Sequence, residues 1–491
     1  MVFSGLLLMR WVILPQFMDM YYHLLIAQGF LDAGGYSGWD FLQFAPFGRP
    51  HIYPPLFHLF LAFLLKIGIG KIVLAKFFEA VIPAVFLVVL WRFLKKNYNK
   101  QLAFFTCVAF FSSFSFCMSL SNHIPATLAL IFGFLAIGQM FRAKIVRAII
   151  LLAACFYTHI GISWFFAIAV FFYGLSDKRY RSDCIAMVCF SIFVSLPVLF
   201  KQLHGIGPGG FLGARLGEAD VSQIKIIEYF LALAGLVLVF KEERKYRLFA
   251  GFFLSGFIFA FYPYRFFSAE GYLPVILLSG FFLFYLYEKL NRKYLAAALS
   301  CVIFFLSPTF SLEKPLGETK VSSKVKIADS AFLGMLLARG ESIWFPKAYL
   351  ASADLVRNNS KEGDIIFSSF NITGMILANI SGRPTANALF PEVGPTRKFD
   401  PYIVSRIIVF TKADEPALVE NIAREKKLVK IGENELFVFY LNPLCKMKVD
   451  TRKADVNFFV ISLLVGVILI IFWKAGGVLG SFRHADNRKK F

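Results

Sequence analysis

The sequence predicts an all-α membrane protein, a polytopic helical bundle of about twelve spans carrying a small extracytoplasmic α/β domain. Three observations predict it. Of 491 residues, 58% are hydrophobic and 17% charged, against about 45–50% and about 25% in soluble domains. The apolar residues gather in runs close to the about 17–25 needed to cross a bilayer. The formal charge of +21 sits in short clusters between those runs, which is the positive-inside pattern. That placement assigns the charge to a membrane and not to nucleic acid. The 61 phenylalanines suit a lipid-facing surface.

Taken in order, spans are expected at roughly 2–17, 72–91, 102–118, 124–141, 145–157, 160–175, 184–200, 224–240, 248–262, 271–287, 294–311 and 456–473. Arg10 interrupts the first: either its side chain snorkels or part of that helix lies upstream of Met1. The pair at 145–157 and 160–175 is either two tilted helices or one re-entrant hairpin turning at Thr158-His159. With the N-terminus inside, every second short loop is basic: Arg92 to Lys100, Arg142 to Arg147, Lys178 to Arg181, Lys241 to Arg247 and Lys289 to Lys293. The opposite turns, near Ser121, His159 and Tyr264, hold one basic residue among them, Arg265. The alternation requires that Tyr53–Ile69 and Tyr21–Leu31 do not cross, so both are expected as interfacial helices on the outer surface. Pro54-Pro55 suits a helix start there.

Residues 312–455 change character, with charges of both signs and turn signals such as Lys361-Glu362-Gly363-Asp364. Helices are expected at Ala351–Asn358, Thr373–Ile380 and Pro416–Lys427, and strands at Asp364–Ser368, Arg406–Phe410 and Leu436–Leu441. Alternation of the two implies a small α/β domain. The organisation is thus 1–311 transmembrane with a long external loop at 18–70, 312–455 extracytoplasmic, and 456–491 a final span with a basic cytoplasmic tail. Asn358, Asn371 and Asn379 open N-x-[ST] triplets, a pattern frequent by chance.

On this topology the chemistry-bearing residues meet at the outer face. Asp19, Tyr22, His23 and Asp40 lie in the first loop, Ser121-Asn122-His123 and His159 at turns, and Tyr262-Pro263-Tyr264-Arg265 at a span end. A carboxylate at a membrane boundary is a functional hypothesis by default. Asp19 can serve as general base on a hydroxyl or hold a divalent cation. Arginine's planar fork suits a phosphate, which Arg265 would meet. Plainer readings stand beside these: Asp19 as a helix cap, His123 as a satisfied polar residue, Arg265 as a surface anchor. The glycine-rich stretch Gly207 to Glu218 lacks the G-x-x-x-x-G-K-[ST] pattern of a phosphate loop. The seven cysteines include no C-x-x-C pair, which argues against a zinc site or a disulfide framework.

The run Asp19-Met20-Tyr21-Tyr22-His23-Leu24, with Arg49-Pro50-His51-Ile52-Tyr53-Pro54-Pro55-Leu56 after it, resembles the first external loop of the C-type glycosyltransferase (GT-C) superfamily. It is most similar to oligosaccharyltransferase catalytic subunits and their archaeal relatives. The likeness covers the layout of 1–311, with weaker similarity at Ala353–Asn358, Gly363–Ile366 and Ser381–Pro384. It implies a GT-C-like bundle, a donor sugar on a polyprenyl phosphate such as a dolichol lipid, and a divalent cation, Mg2+ or Mn2+. Asp19 matches the first acidic motif, and Arg265 stands where relatives place a base near the lipid phosphate. Tyr22 and His51 are the further donor-side candidates. His23, His123 and Glu218 are the acceptor or metal candidates. The second acidic motif is replaced by Ser121-Asn122-His123, the W-W-D-Y-G motif has no counterpart, and a span follows the later domain.

The expected function is a multi-pass plasma-membrane glycosyltransferase. It would move a sugar from a polyprenyl-phosphate donor to a glycan, lipid or protein on the outer face. Oligosaccharyltransfer to protein is the alternative within the class, and a non-catalytic lipid-glycan binder or transporter the alternative outside it.

Overall fold

The computed structural model describes Gly5 and residues 18–213, 220–314, 322–337, 347–389, 394–449 and 451–487. The first expected span, apart from Gly5, and Glu218 lie outside the described residues. The first loop contributes helices α1 (Met18–Ala33) and α2 (Leu56–Lys66). The bundle follows as α3 (Lys71–Asn97), α4 (Lys100–Phe110), α5 (Phe114–Asn122), α6 (Ile124–Met140), α7 (Ile145–Phe156), α8 (Ile160–Ser176), α9 (Arg181–Gly213), α10 (Ile226–Val239), α11 (Arg247–Gly256), α12 (Pro263–Ser268), α13 (Leu273–Glu288) and α14 (Lys293–Cys301). Beyond it come α15 (Ala331–Leu337), α16 (Lys347–Asn358), α17 (Asn371–Ser381), α18 (Pro401–Val404), α19 (Pro416–Glu425) and α20 (Phe458–Asn487).

Lys71–Asn97, Arg181–Leu203 and Glu270–Glu288 are long and apolar enough to cross a membrane. The pair α4 and α5 makes a fourth if counted as one span, although it bends by 88°. Among the described residues, twelve spans are therefore not reached by length and composition. Shorter apolar helices, Ile124–Met140, Ile145–Phe156, Ile160–Ser176, Ile226–Val239, Lys293–Leu306 and Phe458–Lys474, fill most of the other stretches. The region 145–175 forms two helices, α7 and α8. The stretch 102–118 is broken by its serines: Ser112 Oγ donates to Ala109 O at 2.5 Å, and Ser113 Oγ accepts from Phe116 N at 3.1 Å, capping a new helix.

Small residues let the helices meet closely. A Cβ on Gly235 would lie 2.3 Å from Leu278 O, and one on Gly251 2.6 Å from Ala169 O. Such contacts replace the hydrophobic drive that is missing between helices in lipid. Phe190, Phe193 and Phe200 of α9 point outward, as a lipid-facing surface requires.

The first loop is stitched to the later part of the chain. Its strands β1 (Gly35–Tyr36), β2 (Trp39–Asp40) and β3 (Arg49–Pro50) are short. β1 pairs with β11 (Val456–Asn457), just before α20. Arg49 Nη2 donates to Leu389 O at 2.8 Å, Ala45 N to Thr385 O at 3.0 Å, and Thr385 N to Leu42 O at 2.8 Å. Asn379 Nδ2 donates to Tyr21 O at 2.9 Å, so α17 sits against α1.

The later part holds a four-stranded sheet in the order β7 (Ile366–Ser368), β8 (Ile407–Thr411), β10 (Phe437–Leu441), β9 (Val429–Glu433). β7 and β8 run parallel and the other pairs antiparallel. Ile366, Ile407, Val409, Phe437 and Phe439 build its core with Tyr349 and Val356 of α16. The expected helices and strands are present with shifted ends, and β9 is additional. A second sheet, β4 (Asp220–Lys225), β5 (Thr309–Lys314) and β6 (Ser322–Lys326), was not foreseen. It takes the ends of two stretches expected as spans, 224–240 and 294–311. Phe310 and Leu312 alternate there with Ser311 and Glu313, a strand period hidden at the edge of an apolar run.

Candidate active site

Asp19 lies in the first turn of α1 and is 9% exposed. Among the described residues no hydrogen bond or ion pair engages its carboxylate. The capping reading therefore lacks the bond it needs. Burial raises its pKa above the ordinary 3.8, with His123 and Arg265 pulling it back and Glu270 pushing with burial. An acid so placed holds a proton more readily than a surface aspartate and is the stronger base once ionised.

Three elements bring partners to it. The break between α5 and α6 presents His123, with Pro125 opening the second helix. Pro263 starts the single turn α12, which presents Arg265. A 3₁₀ turn, Glu270–Tyr272, leads into α13 and presents Glu270. A Cβ on Gly271 would lie 2.7 Å from Phe266 Cα and 2.8 Å from Arg265 O, so this fold-back needs glycine.

Glu270, buried, accepts from His123 Nδ1 at 2.7 Å. The bond places a proton on Nδ1 of His123, so Nε2 is the ring nitrogen left for another partner. Arg265 Nη1 stands 3.7 Å from the same Glu270 oxygen, an attraction too long for a hydrogen bond. The other carboxylate oxygen, Oε2, is buried without a partner among the described residues.

His159 caps α8, its Nδ1 accepting from Ile162 N at 3.3 Å. Burial, helped by Arg265, pushes this histidine down to about 3, so it is neutral, and its Nε2 faces Arg265. Arg265 Nη1 lies 3.4 Å from that Nε2. A guanidinium only donates, so Nε2 is the acceptor in this contact. Tyr53 closes the side, its ring edge-on to His159 at 6.2 Å and to Tyr22 at 6.2 Å.

Tyr22, His23 and His51 form an inner layer between α1 and α2. His23 Nδ1 and His58 Nε2 are 2.8 Å apart, one donating to the other. The His51 ring stands 5.2 Å from His58. Burial pushes His58 down to about 3. Asp40 is taken up structurally, accepting from Gln43 Nε2 at 2.7 Å and Arg49 Nε at 3.4 Å.

Asp19, Arg265 and His123 thus come together, while His23 and His51 stand behind them. Glu270 escaped the sequence reading, although it has the signal that marked Asp19: an acid at the border of an apolar run. His58 had no signal, being one more residue of an apolar helix.

A divalent cation is implied by the resemblance. Among the described residues no group of three His, Cys, Asp or Glu is gathered as a ready ligand set. The donor atoms nearest that chemistry are the unengaged Asp19 carboxylate, His123 Nε2 and the orphaned Glu270 Oε2. These three would hold the ion.

Neither a protein-family model nor a curated protein matches the chain. Solved structures do. The oligosaccharyltransferase of Archaeoglobus fulgidus, in complex with Zn and sulfate, is similar over 88% of this chain and 70% of that one, at 11% identity and TM-score 0.55. ArnT from Cupriavidus metallidurans is similar over 90% of this chain and 97% of that one, at 12% identity and TM-score 0.57. The fold is that of the GT-C glycosyltransferases. A further structure with the GT-C fold, AglB from Archaeoglobus fulgidus with an inhibitory peptide and a dolichol-phosphate, covers 86% of this chain and 70% of that one, at 11% identity and TM-score 0.53.

Proposed function

We propose that the chain is an integral membrane glycosyltransferase of the plasma membrane, using a polyprenyl-phosphate-linked sugar at an extracytoplasmic site. The observation that carries this reading is the Asp19 carboxylate, buried, unengaged among the described residues and flanked by Arg265 and His123. Asp19 takes the proton of an acceptor hydroxyl. The freed oxygen bonds to the anomeric carbon of the sugar as that carbon's bond to the phosphate oxygen breaks. The electron pair leaves with the polyprenyl phosphate, whose charge Arg265 meets through its open fork. Tyr22 and His51 support the donor side from behind, and His123 offers Nε2 to a hydroxyl. Where a divalent cation is bound by Asp19, His123 and Glu270, it supplies charge for the leaving phosphate. Asp19 then acts chiefly as a ligand.

The acceptor is a glycan, a lipid or a protein. A protein acceptor draws support from the AglB neighbour, solved with an inhibitory peptide. The replacement of the second acidic motif by Ser121-Asn122-His123 weighs against protein N-glycosylation in particular.

The test is Asp19→Asn in lipid nanodiscs. Asparagine caps a helix about as well as aspartate, so the melting temperature should hold. Sugar transfer should fall on the order of 10²-fold or more. Near-normal turnover would sink the catalytic role and favour a lipid-glycan binder or transporter.

A further inference from the structure

We infer that Gln223 of β4 is a positioning residue for the site, holding α12 with its backbone and α5 with its side chain. The inference rests on the reading of Arg265 as the phosphate partner and adds what aims it. β4 is an edge strand: in the order β4-β5-β6 it is paired on one side. Along an antiparallel edge the N–H and C=O of alternate residues point away from the partner strand and need other partners. Gln223, opposite Ser311 in the register, is such a residue. Its N–H donates to Ser268 Oγ at 2.7 Å, and that hydroxyl leans back towards Gln223 O at 3.5 Å. Ser268 is buried and ends α12, three residues after Arg265 and two before Glu270. A helix this short does not hold itself in place. Ser268 pins its far end to the sheet, and with it the line along which Arg265 leaves the turn.

The side chain of the same residue goes elsewhere. Side chains stand roughly perpendicular to a sheet, and the buried Gln223 offers its amide oxygen to Ser115 Oγ, in the first turn of α5. That helix runs without a break to Asn122, and His123 is its C-terminal cap. A tether at one end of so short a rod places the other. One residue at a sheet edge thus joins the two elements from which Arg265 and His123 reach the site. Gln223 acts only through those neighbours.

The two attachments can be cut separately. Ser268→Ala removes the partner of Gln223 N and leaves the side-chain bond. Gln223→Leu removes the side-chain bond and leaves the backbone bond to Ser268. Thr309→Val in β5 is the control: it takes an acceptor from Lys225 Nζ, 2.5 Å away, and weakens the same sheet without touching either attachment. Each full chain in nanodiscs is measured for polyprenyl phosphate binding, for melting temperature, and for sugar transfer with a membrane extract of the source cells supplying donor and acceptor. Ser268→Ala should weaken polyprenyl phosphate binding about tenfold or more, the worth of a hydrogen bond to a charged group. Gln223→Leu should bind it within about twofold of the parent and transfer about tenfold or more slowly, since small misplacements at a reacting centre are costly. Thr309→Val should lower the melting temperature and move neither readout. Binding by Ser268→Ala within about twofold of the parent overturns the inference. So does a loss that follows melting temperature across all three variants, which is a purely structural role. Failure is separable from that of the underlying reading. If the parent does not bind, or Arg265→Ala binds as the parent does, the phosphate reading falls and the inference with it. If Arg265→Ala loses binding and Ser268→Ala does not, the phosphate reading stands and the inference falls. If binding splits as expected and the parent transfers no sugar, the positioning of Arg265 stands and the transferase reading falls.

Discussion

At the scale of single residues, the protonation of Asp19 is the most exposed claim. Burial raises its pKa above 3.8 in the folded state. The folded protein therefore binds this proton more tightly than the unfolded chain. The contribution of Asp19 to stability is fully present below 3.8 and is lost as pH rises through the folded value. Catalysis runs the other way, because the base must be ionised. The turnover rate is expected to rise with pH with a midpoint above 3.8, while the melting-temperature gap between the parent and Asp19→Asn closes or reverses in favour of Asn over the same window. A rate midpoint at or below 3.8 would contradict the assignment. Arg265 gives a second residue-scale expectation. Removing one partner of a desolvated charge pair costs about 2–5 kcal/mol, so Arg265→Ala should weaken use of the lipid donor strongly. Arg265→Lys should restore part of it, since the charge returns and the fork does not. Donor dependence unchanged in the alanine variant would remove Arg265 from the site.

Among the elements, the fold-back from α12 through the 3₁₀ turn to α13 sets two charged groups at once. Gly271 permits it, because a Cβ there meets backbone atoms of Phe266 and Arg265 below 3 Å. Backbone cannot swing aside as a flexible side chain can. Gly271→Ala should therefore displace Arg265 and Glu270 together, and a shift of about 1 Å in a reacting group costs on the order of 10²-fold. Gly466→Ala in α20 is the matched control, since nothing lies within 4 Å of its added carbon. Equal activity in the two variants would show that the turn tolerates the change. This element also shows what the sequence could disclose. Arg265 was legible because Pro263 and the end of an apolar run locate a boundary. Glu270 was not, because a carboxylate five residues on reads as the polar edge of the next span. The break between α4 and α5 was hidden for a related reason: serines satisfy their own helix or cap a new one, and hydropathy cannot tell which. The strand β5 disappeared into an apolar run of helical length. The helices and strands of the four-stranded unit were legible, since their periods change between charged turns.

For the molecule as a whole, the sidedness of the chain is the largest open expectation. By the pattern of basic loops, residues 312–455 are expected outside and the tail within. In a cysteine-free background, a probe at Glu362 should react with an impermeant reagent from outside, and one at Asp486 should not. The reverse pattern would move the site to the other face of the membrane. The stitching of the first loop carries a further consequence, one of timing. Asn379 bonds back to Tyr21 across 358 residues, Arg49 reaches Leu389 across 340, and Gly38 meets Asp455 across 417. A ribosome adds about 5–20 residues per second. The loop bearing Asp19 must therefore wait, already delivered to its side of the membrane, for roughly twenty seconds to more than a minute before its partners exist. Throughout that interval the groups of the loop that later bond to Asn379, Leu389 and Asp455 have only water, lipid, a helper protein or the loop itself to meet. A nascent chain halted before Asn371 should present this loop to protease, and one released after Asn457 should shield it. Activity would then arrive late and at once, with the last tenth of the chain closing a site whose first residue was made at the start.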